Sequence, residues 1–84
     1  MKKEQTISER FGQVIKAVRE RQGISQEKLA ELAEIDRTYV SMIERGKRQP
    51  TLEVASRVAG ALSMRLSEII RRAEKIEARK NDSP

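Results

Sequence analysis

The sequence has no cysteine and no histidine. Without cysteine no disulfide staples a small core, and without either residue the usual zinc and transition-metal ligand sets are missing. The commonest general base of enzymes goes with the histidine. No metal and no cofactor is therefore expected, and an enzyme is disfavoured. Tryptophan is absent, and one Phe and one Tyr are the only aromatics. That is too few for the stacking platforms that hold single-stranded nucleic acid. No apolar run approaches the roughly 18–20 residues that span a bilayer, so no membrane partner is expected. Met1-Lys2-Lys3-Glu4-Gln5 begins basic but leads into no apolar stretch, unlike a secretory signal. A cytoplasmic location is the expectation.

What is present suits short amphipathic helices. Apolar residues make up 37% of the 84 and charged residues another 37%. This length reads as one domain over 1–84, with a core over about 7–70, a C-terminal helix reaching about 80 and a frayed tail at 81–84. A chain this short buries only about 60–65% of its unfolded surface, so a partner subunit would add to a thin margin of stability. The net charge is +5 and unevenly placed, with 8 basic and 7 acidic groups in 1–42 against 10 and 6 in 43–84. A basic surplus favours a polyanion, and the lack of aromatics favours duplex DNA over single strands. A solvated helical surface accounts for the same charge equally well.

Five helices can be read. Thr6-Ile7-Ser8-Glu9 is a capping box. Behind it Phe11, Val14, Ile15 and Val18 recur on one helical face, and Gly23 fits the left-handed terminating position. Ser25 can cap a second helix with Leu29, Ala30, Leu32 and Ala33 inward, ending near Glu34-Ile35. Asp36 can cap a third, with Val40 and Ile43 inward and Gly46 at its end. Thr51 follows the loop Gly46-Lys47-Arg48-Gln49-Pro50 and caps a fourth, with Leu52, Ala55, Val58, Ala59 and Leu62 inside. The fifth runs through Leu66, Ile69, Ile70, Ala73 and Ile76.

The second and third helices are too short to stand alone. Leu29, Ala33, Ile35, Val40 and Ile43 form an apolar set that locks them as a helix-turn-helix, with Ala30 small enough for close approach. In such a unit the first helix crosses the phosphate backbone and the second lies in the major groove. The run Ser25-Gln26-Glu27-Lys28 also matches the S-x-x-K pattern of serine acylases. It has no partner motif, and Ser25 is more simply a cap.

The runs Ile24-Ser25-Gln26-Glu27-Lys28-Leu29-Ala30 and Tyr39-Val40-Ser41-Met42-Ile43-Glu44-Arg45-Gly46-Lys47-Arg48-Gln49-Pro50-Thr51 resemble the Cro/C1 (Xre) type of bacterial and phage regulator. The resemblance covers about residues 9–70. Asp36-Arg37-Thr38-Tyr39-Val40-Ser41 is similar to the recognition helix of restriction–modification controller proteins. The resemblance implies an all-α, compact five-helix, lambda-repressor-like domain. One departure concerns the turn, where the family often has Gly and this chain has Glu34. A glutamate at positive φ is strained.

In that frame Arg37 and Thr38, on the first turn of the groove helix, are the expected base readers, with Ser41 and Met42 one turn on. Arginine can grip guanine O6 and N7 with two donors. Its alternative reading is a solvated charge at a helix start, where a cation opposes the dipole. Gln26, Tyr39, Arg45, Lys47, Arg48 and Gln49 are the expected phosphate contacts, which position without reading sequence. A solvated charged loop remains the alternative for Lys47 and Arg48. The family resemblance further implies that Arg19 and Glu44 pair as a structural ion pair. Ile69, Ile70, Ala73 and Ile76 are expected at a homodimer interface, since the apolar stripe continues past the usual core.

The expected function is a sequence-specific duplex-DNA-binding transcriptional regulator. A homodimeric repressor, or a controller of a restriction–modification system, acting on a near-palindromic operator fits best. An antitoxin-like adaptor that binds DNA and a partner protein is the alternative. An interaction module without DNA binding is disfavoured by Arg37, Arg45, Lys47 and Arg48 gathering where DNA would lie.

Overall fold

The computed structural model describes residues 5–82, and side-chain surroundings for residues 5–76. Five helices follow one another: α1 (Ile7–Gln22), α2 (Gln26–Ala33), α3 (Arg37–Glu44), α4 (Leu52–Ala61) and α5 (Leu66–Asp82). The described residues hold no strand, and no described helix is long and apolar enough to cross a membrane. The helix expected to stop near residue 80 continues through Asn81 and Asp82, while Ser83 and Pro84 lie outside the described residues.

Local chemistry starts each helix. The Thr6 hydroxyl accepts from the Glu9 N–H at 3.1 Å, and the Glu9 carboxylate accepts from the Thr6 N–H at 2.7 Å. Ser25 and Thr51 each accept from the third N–H of their helices. At α5 the Arg65 N–H donates back to Glu68. Asp36 differs from expectation: it occupies the N-cap position of α3, but its carboxylate makes no capping hydrogen bond.

Two helix ends use left-handed residues other than glycine. Glu34 sits at φ 60° and ψ 47°. Around it the Ile35 N–H donates to Ala30 O at 3.0 Å and the Glu34 N–H to Glu31 O at 3.2 Å, which satisfies the last carbonyls of α2. Ser63 does the same after α4 at φ 60°, where the Met64 N–H donates to Ala59 O.

The core gathers Phe11, Ile15, Leu29, Val40, Ile43, Val58, Leu62 and Ile69, all nearly or wholly buried. Each such side chain contributes about 1.5–3 kcal/mol by leaving water. Two expected core residues are outside it. Leu32 is 49% exposed, because Leu29, Ala30 and Ala33 define the inward face of α2 and Leu32 lies about 100° from its centre. Leu52 is 81% exposed, since cover of α4 begins only at Val54. A third correction concerns the expected dimer stripe on α5, a helix that packs along α1 more than on α4. Ile69 and Ala73 are fully buried in this chain's own core, so neither side chain can reach a partner subunit. Ile70 and Ile76 remain half-buried, on opposite flanks of that buried stripe.

The position of α3 depends on its crossing with α1. Gly12 lies mid-helix in α1, and a Cβ built there would stand 2.0 Å from the carbonyl oxygen of Ile43. Beside this contact, Arg19 of α1 grips Glu44 of α3 with a two-pronged fork. Its Nε donates to Oε2 at 2.6 Å and its Nη2 to Oε1 at 3.0 Å. Its Nη1 donates to Ile24 O at 2.9 Å, which ties down the turn between α1 and α2. The hydrogen bond that Arg19 donates to Glu44 raises the arginine's pKa above its ordinary value, against the opposing effect of burial. Removing one partner of such a buried pair strands the other, at about 3–5 kcal/mol.

The backbone at three positions can be tested by substitution. Gly12→Ala should lose about 3 kcal/mol or more, although alanine is the better helix former. Gly60, also helical but with nothing near a built Cβ, is the control: Gly60→Ala should gain about 0.5–1 kcal/mol. Urea unfolding of both variants tests the crossing, and a stabilised Gly12→Ala would show that α3 can yield. Glu34→Gly should raise stability by up to about 1 kcal/mol by relieving the left-handed residue, and an unchanged or lower urea midpoint would show no stored strain.

Candidate nucleic-acid interface

The exposed face of α3 begins at its N-terminus. Arg37 and Thr38 are its first two residues and both are exposed, while Ser41 and Met42 follow one turn on, half-buried. The first turn of α3 carries no acidic residue, and no side chain caps its N–H groups. Arg37 thus adds its charge to the positive end of the helix dipole on an open surface. Such an end suits an anion or the electron-rich edge of a base.

The loop after α3 bends back toward the same region. Gly46 takes φ 71°, and the Lys47 N–H donates to Met42 O at 2.8 Å. A side chain at Gly46 would press on Glu9, its Cβ 3.0 Å from Glu9 Cγ, so the capping box of α1 sets where the loop runs. Arg48 then lays its guanidinium over the ring of half-buried Tyr39, 4.9 Å from the centroid. This contact joins the loop to the first turn of α3 and holds the Arg48 charge beside it. Lys47 and Gln49 remain exposed on the loop. Exposed Arg45 donates from Nε to Ser41 O at a long 3.4 Å. The structure therefore gathers Arg37, Thr38, Tyr39 and Arg48 around the start of α3.

Gln26 lies elsewhere. It is the first residue of α2, half-buried, and its Nε2 donates to Glu44 Oε1 at 3.0 Å, at the far end of α3. Glu44 is 7% exposed and Arg19 9%, so this pair sits beneath the surface rather than on it. Sequence patterns did not single out Gly12, which lets α3 approach α1. It carried a signal, since glycine inside an amphipathic helix costs stability and calls for a packing reason.

These features match known proteins. The helix-turn-helix family model covers residues 15–69. Control protein C.MunI of Mycoplasma sp is 40% identical over 70 residues, covering 82% of this chain and 95% of the relative. The immunity repressor of Bacillus phage phi105 is 42% identical over 59 residues, covering 70% of this chain. This chain spans 41% of the repressor's length. Among solved structures, the restriction-modification controller protein C.AhdI from Aeromonas hydrophila superposes with a TM-score of 0.71 at 39% identity, covering 73% of this chain and 92% of that one. The chain belongs to the Cro/C1-type helix-turn-helix family of DNA-binding transcriptional regulators.

Proposed function

We propose that the chain works as a homodimeric, sequence-specific regulator of the controller or repressor kind, acting in the cytoplasm on a near-palindromic duplex operator. The observation that carries this reading is the exposed, uncapped N-terminus of α3 with Arg37 and Thr38 on it. The near full-length match to C.MunI supports the controller reading, since it leaves little of that relative uncovered. Arg37 and Thr38 read base edges, with Ser41 and Met42 behind them. Tyr39, Arg45, Lys47, Arg48 and Gln49 engage phosphates on one side of the groove and Gln26 on the other.

Selection of bound sequences from random duplexes would define the operator and its half-sites. On that operator Arg37→Ala should cost about 1–3 kcal/mol and relax preference at one base pair per half-site. Lys47→Ala should weaken all duplexes alike and lower the salt slope by about one unit for each phosphate that the lysine neutralises. Equal losses on specific and random DNA for Arg37→Ala would make Arg37 a phosphate contact instead.

The dimer reading rests on a different patch from the stripe to which Ile69 and Ala73 belong. Leu52 projects, 81% exposed, beside a shallow apolar groove that includes Ile7, Phe11, Leu66 and Ile70. A projection and a groove on one face suit a two-fold contact, in which each Leu52 enters the partner's groove. Two groove helices about 34 Å apart would then meet successive turns of DNA. Leu52→Asp should sediment as a folded monomer where the wild type is a dimer, with Ile76→Asp testing whether the contact extends along α5. A wild type that stays monomeric at high concentration and binds without cooperativity would remove the dimer.

A further inference from the structure

The three elements of the helix-turn-helix meet at one carboxylate. Glu44, the last residue of α3, has a side chain only 1% exposed. Its Oε2 accepts from Arg19 Nε at 2.6 Å, and its Oε1 accepts from Arg19 Nη2 and from Gln26 Nε2, each at 3.0 Å. Arg19 comes from α1, Glu44 from α3 and Gln26 from the first position of α2. An ion pair that served only to join α1 and α3 would need no third member.

The third member has a direction. A primary amide can turn either its oxygen or its nitrogen toward a neighbour. A buried carboxylate accepts only, so it repels the amide oxygen and fixes the nitrogen inward. Nε2 carries two protons, and one is spent on Glu44. The second proton is left over, on a half-exposed residue that stands first in α2. There the Lys28 N–H is already taken by the Ser25 hydroxyl, while the N–H groups of Gln26 and Glu27 precede it in the first turn. A phosphate oxygen at this end meets oriented donors rather than a freely turning amide.

Arg19 has a second part in the arrangement. A bare carboxylate one hydrogen bond behind a phosphate-holding amide would repel the phosphate. The guanidinium fork cancels that charge in place, so Glu44 can orient Gln26 without an electrostatic penalty toward DNA.

We infer that Glu44, neutralised by Arg19, is a positioning residue for DNA binding: it holds the Gln26 amide so that its second N–H is presented to a backbone phosphate. This rests on the reading of Gln26 as a phosphate contact given above. It adds that the buried pair acts on affinity through Gln26, separately from its effect on stability.

A double-mutant cycle on the selected operator tests it, with wild type, Gln26→Ala, Glu44→Gln and the double variant compared at a temperature where melting curves show all four folded. Gln26→Ala should weaken binding about tenfold, as expected for a hydrogen bond to a charged group. Glu44→Gln should weaken the wild type by a similar factor but the Gln26→Ala protein by less than about twofold, which is the non-additivity of a shared contact. Gln26→Ala should leave the salt slope unchanged, because an amide neutralises no phosphate charge. If Glu44→Gln costs the same factor in both backgrounds, the positioning role is overturned while the Gln26 contact stands. If Gln26→Ala binds as wild type does, the phosphate reading of Gln26 fails and the positioning role with it. Should Glu44→Gln not fold, the side-chain amide protons of Gln26 in the wild type decide by nuclear magnetic resonance. One proton should stay slow to exchange with and without operator DNA while the other shifts on DNA addition. Loss of the protected proton in the complex would show that Gln26 leaves Glu44 to bind, against the inference.

Discussion

The placing of the helix that carries Arg37 and Thr38 depends on how closely α3 approaches α1. At Gly12 the backbone of α3 comes nearer than any side chain would allow, with the Ile43 carbonyl in the space a Cβ would fill. That approach puts Glu44 within reach of Arg19, and the ion pair fixes the rotation of α3 about its own axis. Non-polar packing alone would hold α3 against the core but tolerate some turning, since dispersion contacts are weakly directional. A two-pronged hydrogen-bonded fork is not tolerant. The close approach and the fork together place the C-terminal end of α3, while Arg37 and Thr38 lie some two turns away at its open end.

The same division runs through the rest of the fold. Apolar burial supplies the cohesion, through Ile15, Leu29, Val40, Ile43, Leu62 and Ile69. Directional contacts supply the geometry. The Thr6–Glu9 box starts α1 and also bounds the loop at Gly46. Tyr39 catches Arg48 at the other side of that loop. With α2 and α3 only eight residues each, too short to persist alone, these few polar contacts decide where the exposed cations stand.

Much of this was legible in the sequence because helices announce themselves by period and punctuation. The positions of Phe11, Val14, Ile15 and Val18 gave α1 its inward face, and Thr6, Ser25 and Thr51 marked where helices begin. Legibility failed where the outcome depended on neighbours. Periodicity counts Leu32 and Leu52 as apolar and roughly in phase, but it cannot say how far an adjacent helix extends to cover them. Ile69 and Ala73 were expected at a dimer interface because the sequence does not show that α5 packs along α1, where they are core. At the candidate site, exposure of Arg37, Thr38, Lys47 and Arg48 was foreseeable from position along α3 and its loop. The bond from Gln26 to Glu44 was not, because it joins residues 18 apart in sequence through an orientation that only the assembled fold defines.

The left-handed Glu34 and Ser63 bear on how long a molecule lasts in the cell. Each holds a side chain where glycine would rest more easily, and any stability lost there would raise the unfolded fraction. Unfolded chains are what proteases remove, so strain held at two helix ends would shorten the lifetime of each copy. For a regulator whose promoter occupancy follows its concentration, a shorter lifetime means faster reset after synthesis stops. Two helix-end residues would thereby help set how quickly the level of the regulator follows its synthesis.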